Sequence, residues 1–262
     1  MYKCEEVFIM KKVFSIFLAV ILAFCFVSCT ERGTDIEEAQ KNGKLIIGVL
    51  DNEPMTYKEN GEWTGFDIEV AKLFVKELGV EAEFVSVKGA EKYDKLSDYT
   101  VDCIWSGLAI GDYYQENFSV SNSYIYNSQV LILESAVVNN YKDGYDTRNL
   151  NFAVAANSSG YFAAEREGCE SLTITETQDE ALALVSSGEV DAAIVDSIAA
   201  DTLTGEGNKY PNLAKGFSYS AEGFGVAFRK ESDLTKAFND FLAENKDEKI
   251  WEIAVKYDLT LS

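Results

Sequence analysis

The chain has 262 residues, 47% hydrophobic and 13% aromatic, with 23 basic against 44 acidic side chains and a formal net charge of -21. That composition supports a sizeable core, in one large domain or two lobes, and excludes wholesale disorder. Such an acidic chain repels phosphate backbones and anionic lipid, and it has no histidine, which removes nucleic acid, a basic membrane grip, Ser-His and Cys-His nucleophiles and the commonest zinc ligands together.

The first element is Met10 to Cys29, MKKVFSIFLAVILAFCFVSC. Two lysines precede an apolar run, Val13 to Val27, that is short for a membrane-spanning helix and ends at small Ser28. This is the layout of a secretory signal peptide over residues 1–28. Ser28-Cys29 resembles the bacterial lipobox, in which the cysteine is acylated, although Phe26 is bulkier than the usual aliphatic residue. An uncleaved anchor or an ordinary cleavage site are the alternatives, and either Met1 or Met10 is the start. Loss of residues 1–28 removes three lysines and two glutamates, so 20 basic and 42 acidic residues remain and the mature charge is -22. Residues 29–43 are polar and read as a lipid-anchored tether.

Lys44-Leu50 is an aliphatic strand, and Phe66-Leu78 an amphipathic helix stopped at Gly79, with Thr64 or Asp67 available to cap it. Glu81-Val87, Val101-Trp105 and Gln129-Glu134 read as strands. The pattern then restarts: strand Asn151-Ala156, a helix opened by Asn157-Ser158-Ser159-Gly160, strand Ser171-Thr177, helix Gln178-Ser187, strand Asp191-Asp196. A strand at Phe224-Arg229 and helices near Leu234-Glu244 and Glu248-Tyr257 finish it. Alternating strands and helices predict an α/β fold with largely parallel sheets. YTVDCIWSG (Tyr99 to Gly107) and GEVDAAIVDS (Gly188 to Ser197) share a Val-Asp before a buried strand, as two similar lobes would, or as chance allows. Cys103 and Cys169 read as two buried thiols, with a disulfide between them in an oxidising compartment as the alternative. With no CxxC, phosphate-binding loop or metal-spaced carboxylate cluster, neither cofactor nor metal is expected.

Gly65-Phe66-Asp67-Ile68-Glu69-Val70-Ala71, approached through Gly61-Glu62-Trp63-Thr64, resembles the signature of the family 3 extracellular solute-binding proteins, with Phe74 a departure. Val101 to Leu108, Phe118-Ser121, Tyr124, Gln129-Ile132, Ser158-Gly160, Val190-Asp196 and Gly223-Lys230 follow the family in order. The resemblance spans nearly all of Lys44 to Leu259. It implies a type II periplasmic-binding-protein fold: two lobes, two hinge strands and a ligand cleft between. Lobe 1 would be residues 44–133 and 222–262, lobe 2 residues 134–221. It also implies closure on a small amino-acid-like or amine ligand, and delivery to ABC permease subunits, with membrane contact only through the N-terminal lipid.

The resemblance places the ligand against Tyr57, Trp105, Ser106, Gly107, Ala109, Tyr114, Ser158, Ser159 and Asp196. Asp196 would hold an ammonium, Ser158 and Ser159 with the helix start a carboxylate, and Trp105 and Tyr57 would be aromatic walls. From the residues alone, helix capping and core packing explain each as well. Asp51 and Glu53 could face the ligand's side chain or simply solvent. The family's carboxylate-binding arginine is missing: Ala109 and Gly111 replace hydroxyls, Tyr114 replaces the arginine, and no Lys or Arg occurs from Leu96 to Tyr141. Losing one partner of a buried ion pair costs about 3–5 kcal/mol. Either the ligand lacks a carboxylate, or Arg148 or Arg166 compensates, or ordinary binding is lost and the domain serves as a sensor or scaffold. An enzyme is the least expected class, because no paired acid and base is visible.

Overall fold

The computed structural model describes residues 33–110, 116–141, 143 and 147–262. The secretory segment, Cys29 and Tyr114 lie outside the described residues. Thr34 opens the first helix, α1 (Asp35–Asn42). Its hydroxyl accepts the Glu37 N–H at 3.3 Å while the Glu37 carboxylate accepts the Thr34 N–H at 3.1 Å, a reciprocal cap. The expected tether is therefore corrected from Asp35 onward: these residues are helical, and Ala39 is buried against the main core.

β1 (Lys44–Val49) follows, then a hairpin of β2 (Tyr57–Glu59) and β3 (Glu62–Thr64). Next come α2 (Phe66–Leu78), β4 (Glu81–Ser86), α3 (Lys92–Ser97), β5 (Cys103–Ala109), β6 (Ser119–Val120) and β7 (Ile125–Glu134). The second run is β8 (Asn151–Ala155), α4 (Ser159–Glu167), β9 (Ser171–Thr175), α5 (Gln178–Ser187), β10 (Ala192–Asp196), α6 (Ser197–Leu203) and β11 (Leu213–Phe228). α7 (Asp233–Asn245), a π turn (Lys246–Ile250) and α8 (Trp251–Lys256) come last.

Among the described residues, nine strands join in the order β4-β1-β5-β11-β7-β10-β8-β9, with β6 on β11. The outer triplets are parallel, and the central pair β11-β7 is antiparallel from Leu213↔Glu134 to Phe224↔Ile125. The fold is thus two α/β lobes joined by two hinge strands. β11 is far longer than the expected Phe224-Arg229, because its first half alternates polar with half-buried residues and carries two register shifts. One core gathers β1, α2, β5, the end of β11 and α7. Two others flank β7, β10 and β8.

The Val-Asp repeat does the same work in both lobes. Asp102 accepts the Ile46 N–H at 2.9 Å, and Asp191 accepts the Asn151 N–H at 2.8 Å. Each carboxylate clamps the start of the neighbouring central strand, β1 or β8. In α2 the expected side-chain cap is corrected. Gly65 occupies the cap position without a side-chain bond, and Asp67 is turned into the core. Phe74 packs between Trp105, Phe238 and Phe241, with ring centroids 6.1, 5.2 and 5.4 Å away, which accounts for its size. Cys103 and Cys169 are both free, but only Cys103 is buried; Cys169 is half-buried against a different core.

Arg229, just beyond β11, ties three segments together. Its guanidinium donates to Asp35 of α1 at 2.8 Å, to Asp102 at 3.0 Å and to the Val101 carbonyl at 2.7 Å. Burial opposes its charge, but the two carboxylates hold its pKa above the usual value. Arg229→Ala strands two partly buried carboxylates, so urea unfolding should register a loss of about 3–5 kcal/mol.

Candidate functional site

In open α/β sheets, ligands collect at the carboxyl ends of the parallel strands. Here those ends come from both lobes and face one cavity of about 60 Å³. Leu50 to Asn52 and Ser106 to Ala109 line it from the first lobe; Ala155, Ser158, Ser159, Gln178 and Asp196 line it from the second. Small-molecule sites usually hold about 300–1,000 Å³. The cleft is therefore shut, and an amino acid enters only when its walls separate. Contacts across it agree. Gln178 donates to Asn52 at 3.2 Å, Lys92 to the Asn157 carbonyl at 3.1 Å, and Lys88 pairs with Glu176 at 3.6 Å.

The first-lobe wall is set by Asp67. Its carboxylate accepts the Gly107 N–H at 2.6 Å and the Tyr124 hydroxyl at 2.8 Å. Gly107 sits at φ +57°, and a Cβ there would meet the Asn52 amide nitrogen at 2.6 Å, so glycine is required where β5 turns along the cleft. The Ser106 hydroxyl accepts the Leu50 N–H and donates to the Leu50 carbonyl, both at 3.0 Å, stitching β5 to the end of β1. Trp105 is corrected. It is 1% exposed and packs on Phe74 and Phe238, because alternation along β5 turns it to the opposite face from Ser106.

On the second lobe, Ser158 caps α4 by accepting the Tyr161 N–H at 3.1 Å, and it also lines the cavity. Gly160 lets α4 press onto β10; a Cβ there would stand 2.3 Å from the Ile194 carbonyl oxygen. Asp196 is 7% exposed and makes no side-chain cap to α6. Its Oδ1 accepts from Asn127 at 2.7 Å and from Gln129 at 2.6 Å, and its Oδ2 accepts from Gln178. Burial pushes its pKa up, and the amides and Lys92 oppose this.

Three groups at this place were not read from the sequence as part of the ligand site, Glu222 having been considered only as a possible acid of an enzyme. Glu222, in the polar half of β11, accepts from the same two amides, Gln129 at 2.5 Å and Asn127 at 3.0 Å. Burial, then the charge of Asp196, pushes its pKa up to about 7. Gln178 reaches across the cleft. Lys92, from α3, is 5% exposed, and burial lowers its pKa to about 8 against the pull of Asp196. The cavity thus has a basic side chain, four residues before the stretch that lacks any. It comes from the first lobe; Arg148 and Arg166 do not line the cavity. Ala109 also lines it.

A second cavity of about 210 Å³ adjoins the first, lined by Asp51, Asn52, Glu53, Tyr57, Lys58, Asp179 and Lys209 among others. Tyr57 stands here, away from Asp196. Partial burial, then the charge of Asp179, raises the pKa of Asp51; partial burial, then the charges of Asp51 and Asp179, raises that of Glu53. Among the described residues no group of three or more acidic or cysteine side chains could hold a metal ion.

A sequence model of the bacterial extracellular solute-binding proteins, family 3, matches residues 45–259. The chain is 26% identical over 245 residues to the arginine-binding extracellular protein ArtP of Bacillus subtilis, covering 91% of this chain and 94% of that one. A crystal structure of a mutant of ArgBP from T. maritima superposes with a TM-score of 0.79 at 26% identity, over 85% of this chain and 98% of that one. The ancestral amino acid-binding protein AncCDT-1, a precursor of cyclohexadienyl dehydratase, gives 0.77 at 27% identity, over 86% and 99%.

Asp67 offers a check on how the cleft wall is held. Asp67→Ala orphans two buried donors and should cost about 2–4 kcal/mol in urea unfolding. Burial raises the folded pKa of Asp67 to about 7, opposed by the Gly107 N–H and the Tyr124 hydroxyl. An unfolded aspartate titrates near about 3.9. Between those values the folded chain keeps a proton that the unfolded chain has lost, so this residue's contribution to stability falls as pH rises from about 4 to 7. Asp67→Asn should flatten that slope.

Proposed function

Because the chain belongs to the bacterial extracellular solute-binding proteins, family 3, we propose that it is an exported receptor, anchored by a lipid on Cys29, that captures a small amino-acid-like or amine ligand and presents it to the permease of an ABC importer. The observation that carries this reading is Asp196: a carboxylate at a strand end, inside the cleft, cradled by three neutral amides and reachable by a ligand ammonium. Relatives named for arginine support a ligand with a cationic nitrogen.

Capture proceeds by closure. A ligand that touches both lobes only in the shut form favours that form by its differential affinity. Asp196 and the Ser158-Ser159 helix start belong to the second lobe; Lys92 arrives from the first. Lys92 is a candidate partner for a ligand carboxylate, in place of the arginine the family carries. It supplies the compensating charge that was expected, if anywhere, from Arg148 or Arg166, and favours a zwitterion with an additional positive group. Asp51, Glu53 and Asp179 around the adjoining cavity suit that group. The reading is of a binding protein and not an enzyme.

A thermal-shift screen of the chain from Thr30 against the twenty amino acids, agmatine and putrescine tests the reading. Arginine or another cationic member should raise the melting temperature by mass action, and glutamate and aspartate should not. The reading fails if the acidic amino acids alone stabilise the protein. Lys92→Met should weaken L-arginine at least about tenfold in calorimetry while sparing agmatine, which has no carboxylate.

A further inference from the structure

Asp196 and Glu222 come from different elements, β10 and β11, yet both are bonded to the amide nitrogens of Gln129 and Asn127 on β7. Each amide has two hydrogens and gives one to each carboxylate. Neutral amides satisfy lone pairs but cancel no charge. Asp196 lines the cavity, and Glu222 joins it through the two shared amides. Among the described residues, the other charged side chains lining the cavity are Lys92 from α3, Asp51 after β1 and Glu176 after β9, so Lys92 is the one basic side chain there. Asp196 is buried and Glu222 half-buried, and the one lysine, acting on Asp196, leaves the two acids one positive charge short, which either a proton or a cationic ligand can supply.

We propose that Glu222 is a second cation-binding carboxylate, which with Asp196 forms a site for a ligand ammonium or guanidinium that displaces a proton held by the pair. This rests on the reading of the cleft as a ligand site and names the ligand class, a cation. No bond other than the O–H bond of the protonated carboxyl is broken, and its proton passes to buffer. The burial that raises Glu222 to about 7 sets where the exchange operates. Below that pH the pair holds a proton that the ligand must expel, so affinity falls as pH falls. Above it the pair is ionised and affinity levels off, until Lys92 begins to lose its charge near 8.

Calorimetric titration of the mature chain with L-arginine and with agmatine, in buffers of differing ionisation enthalpy between about pH 5.5 and 7.5, counts the protons released. Up to one proton should leave per ligand, and affinity should drop by as much as about tenfold per pH unit below the midpoint of the pair. Glu222→Gln should abolish both the release and the slope. The proton count on the unaltered chain stands even if that variant folds poorly. Cation binding without proton release overturns the proposal, as does an unchanged slope in Glu222→Gln. Failure of both compounds to bind also overturns it. A neutral amino acid that then still raised the melting temperature would leave the receptor reading standing without it.

Discussion

The antiparallel pairing of β7 with β11 is the constraint on which the rest depends. Those two strands pass from one lobe to the other, and they also carry Asn127, Gln129 and Glu222. The connection between lobes and part of the proposed binding chemistry therefore share one ladder. On that reading a change in the charge of the cleft would act on the hinge strands directly. The parallel triplets on either side are conventional by comparison: hydrophobic strands covered by helices, each begun by an aspartate that clips its neighbour.

The family resemblance and the strand-helix alternation were legible because they rest on local pattern. DAAIVD reads as a buried strand ending in a carboxylate, and Asp196 is where that reading places it. α2 and α5 run from end to end as their periodicity and terminal glycines indicate. What could not be read is set by tertiary structure. α3 is a single polar turn and a half, KYDKLS, and nothing local distinguishes Lys92 from a solvated lysine. Its ammonium meets the Asn157 carbonyl of the second lobe, a contact that no local pattern announces. Glu222 is hidden in the same way, in a stretch of β11 whose polar alternation resembles a loop.

Trp105 and Ser106 show a narrower limit. Both were expected to face the ligand, but adjacent side chains of a strand point to opposite faces, and here Trp105 takes the core side. The core needed the indole, against Phe74 and Phe238, and the hydroxyl was left on the cleft side, where it holds Leu50. The helix α1 is a different case. Its Thr34-x-x-Glu37 cap went unread, because two apolar residues in eight made the segment look like a linker.

Gly160 has a consequence for the size of the guest. With no side chain between α4 and β10, the start of that helix and the carboxylate of Asp196 are fastened into a single rigid block. On the proposed reading, the separation between the helix start, as carboxylate acceptor, and Asp196, as ammonium acceptor, is a gauge set within one lobe. Molecules whose opposite charges do not match that span would leave one end unmatched there, and Lys92, arriving with the other lobe, would add a contact without changing the gap.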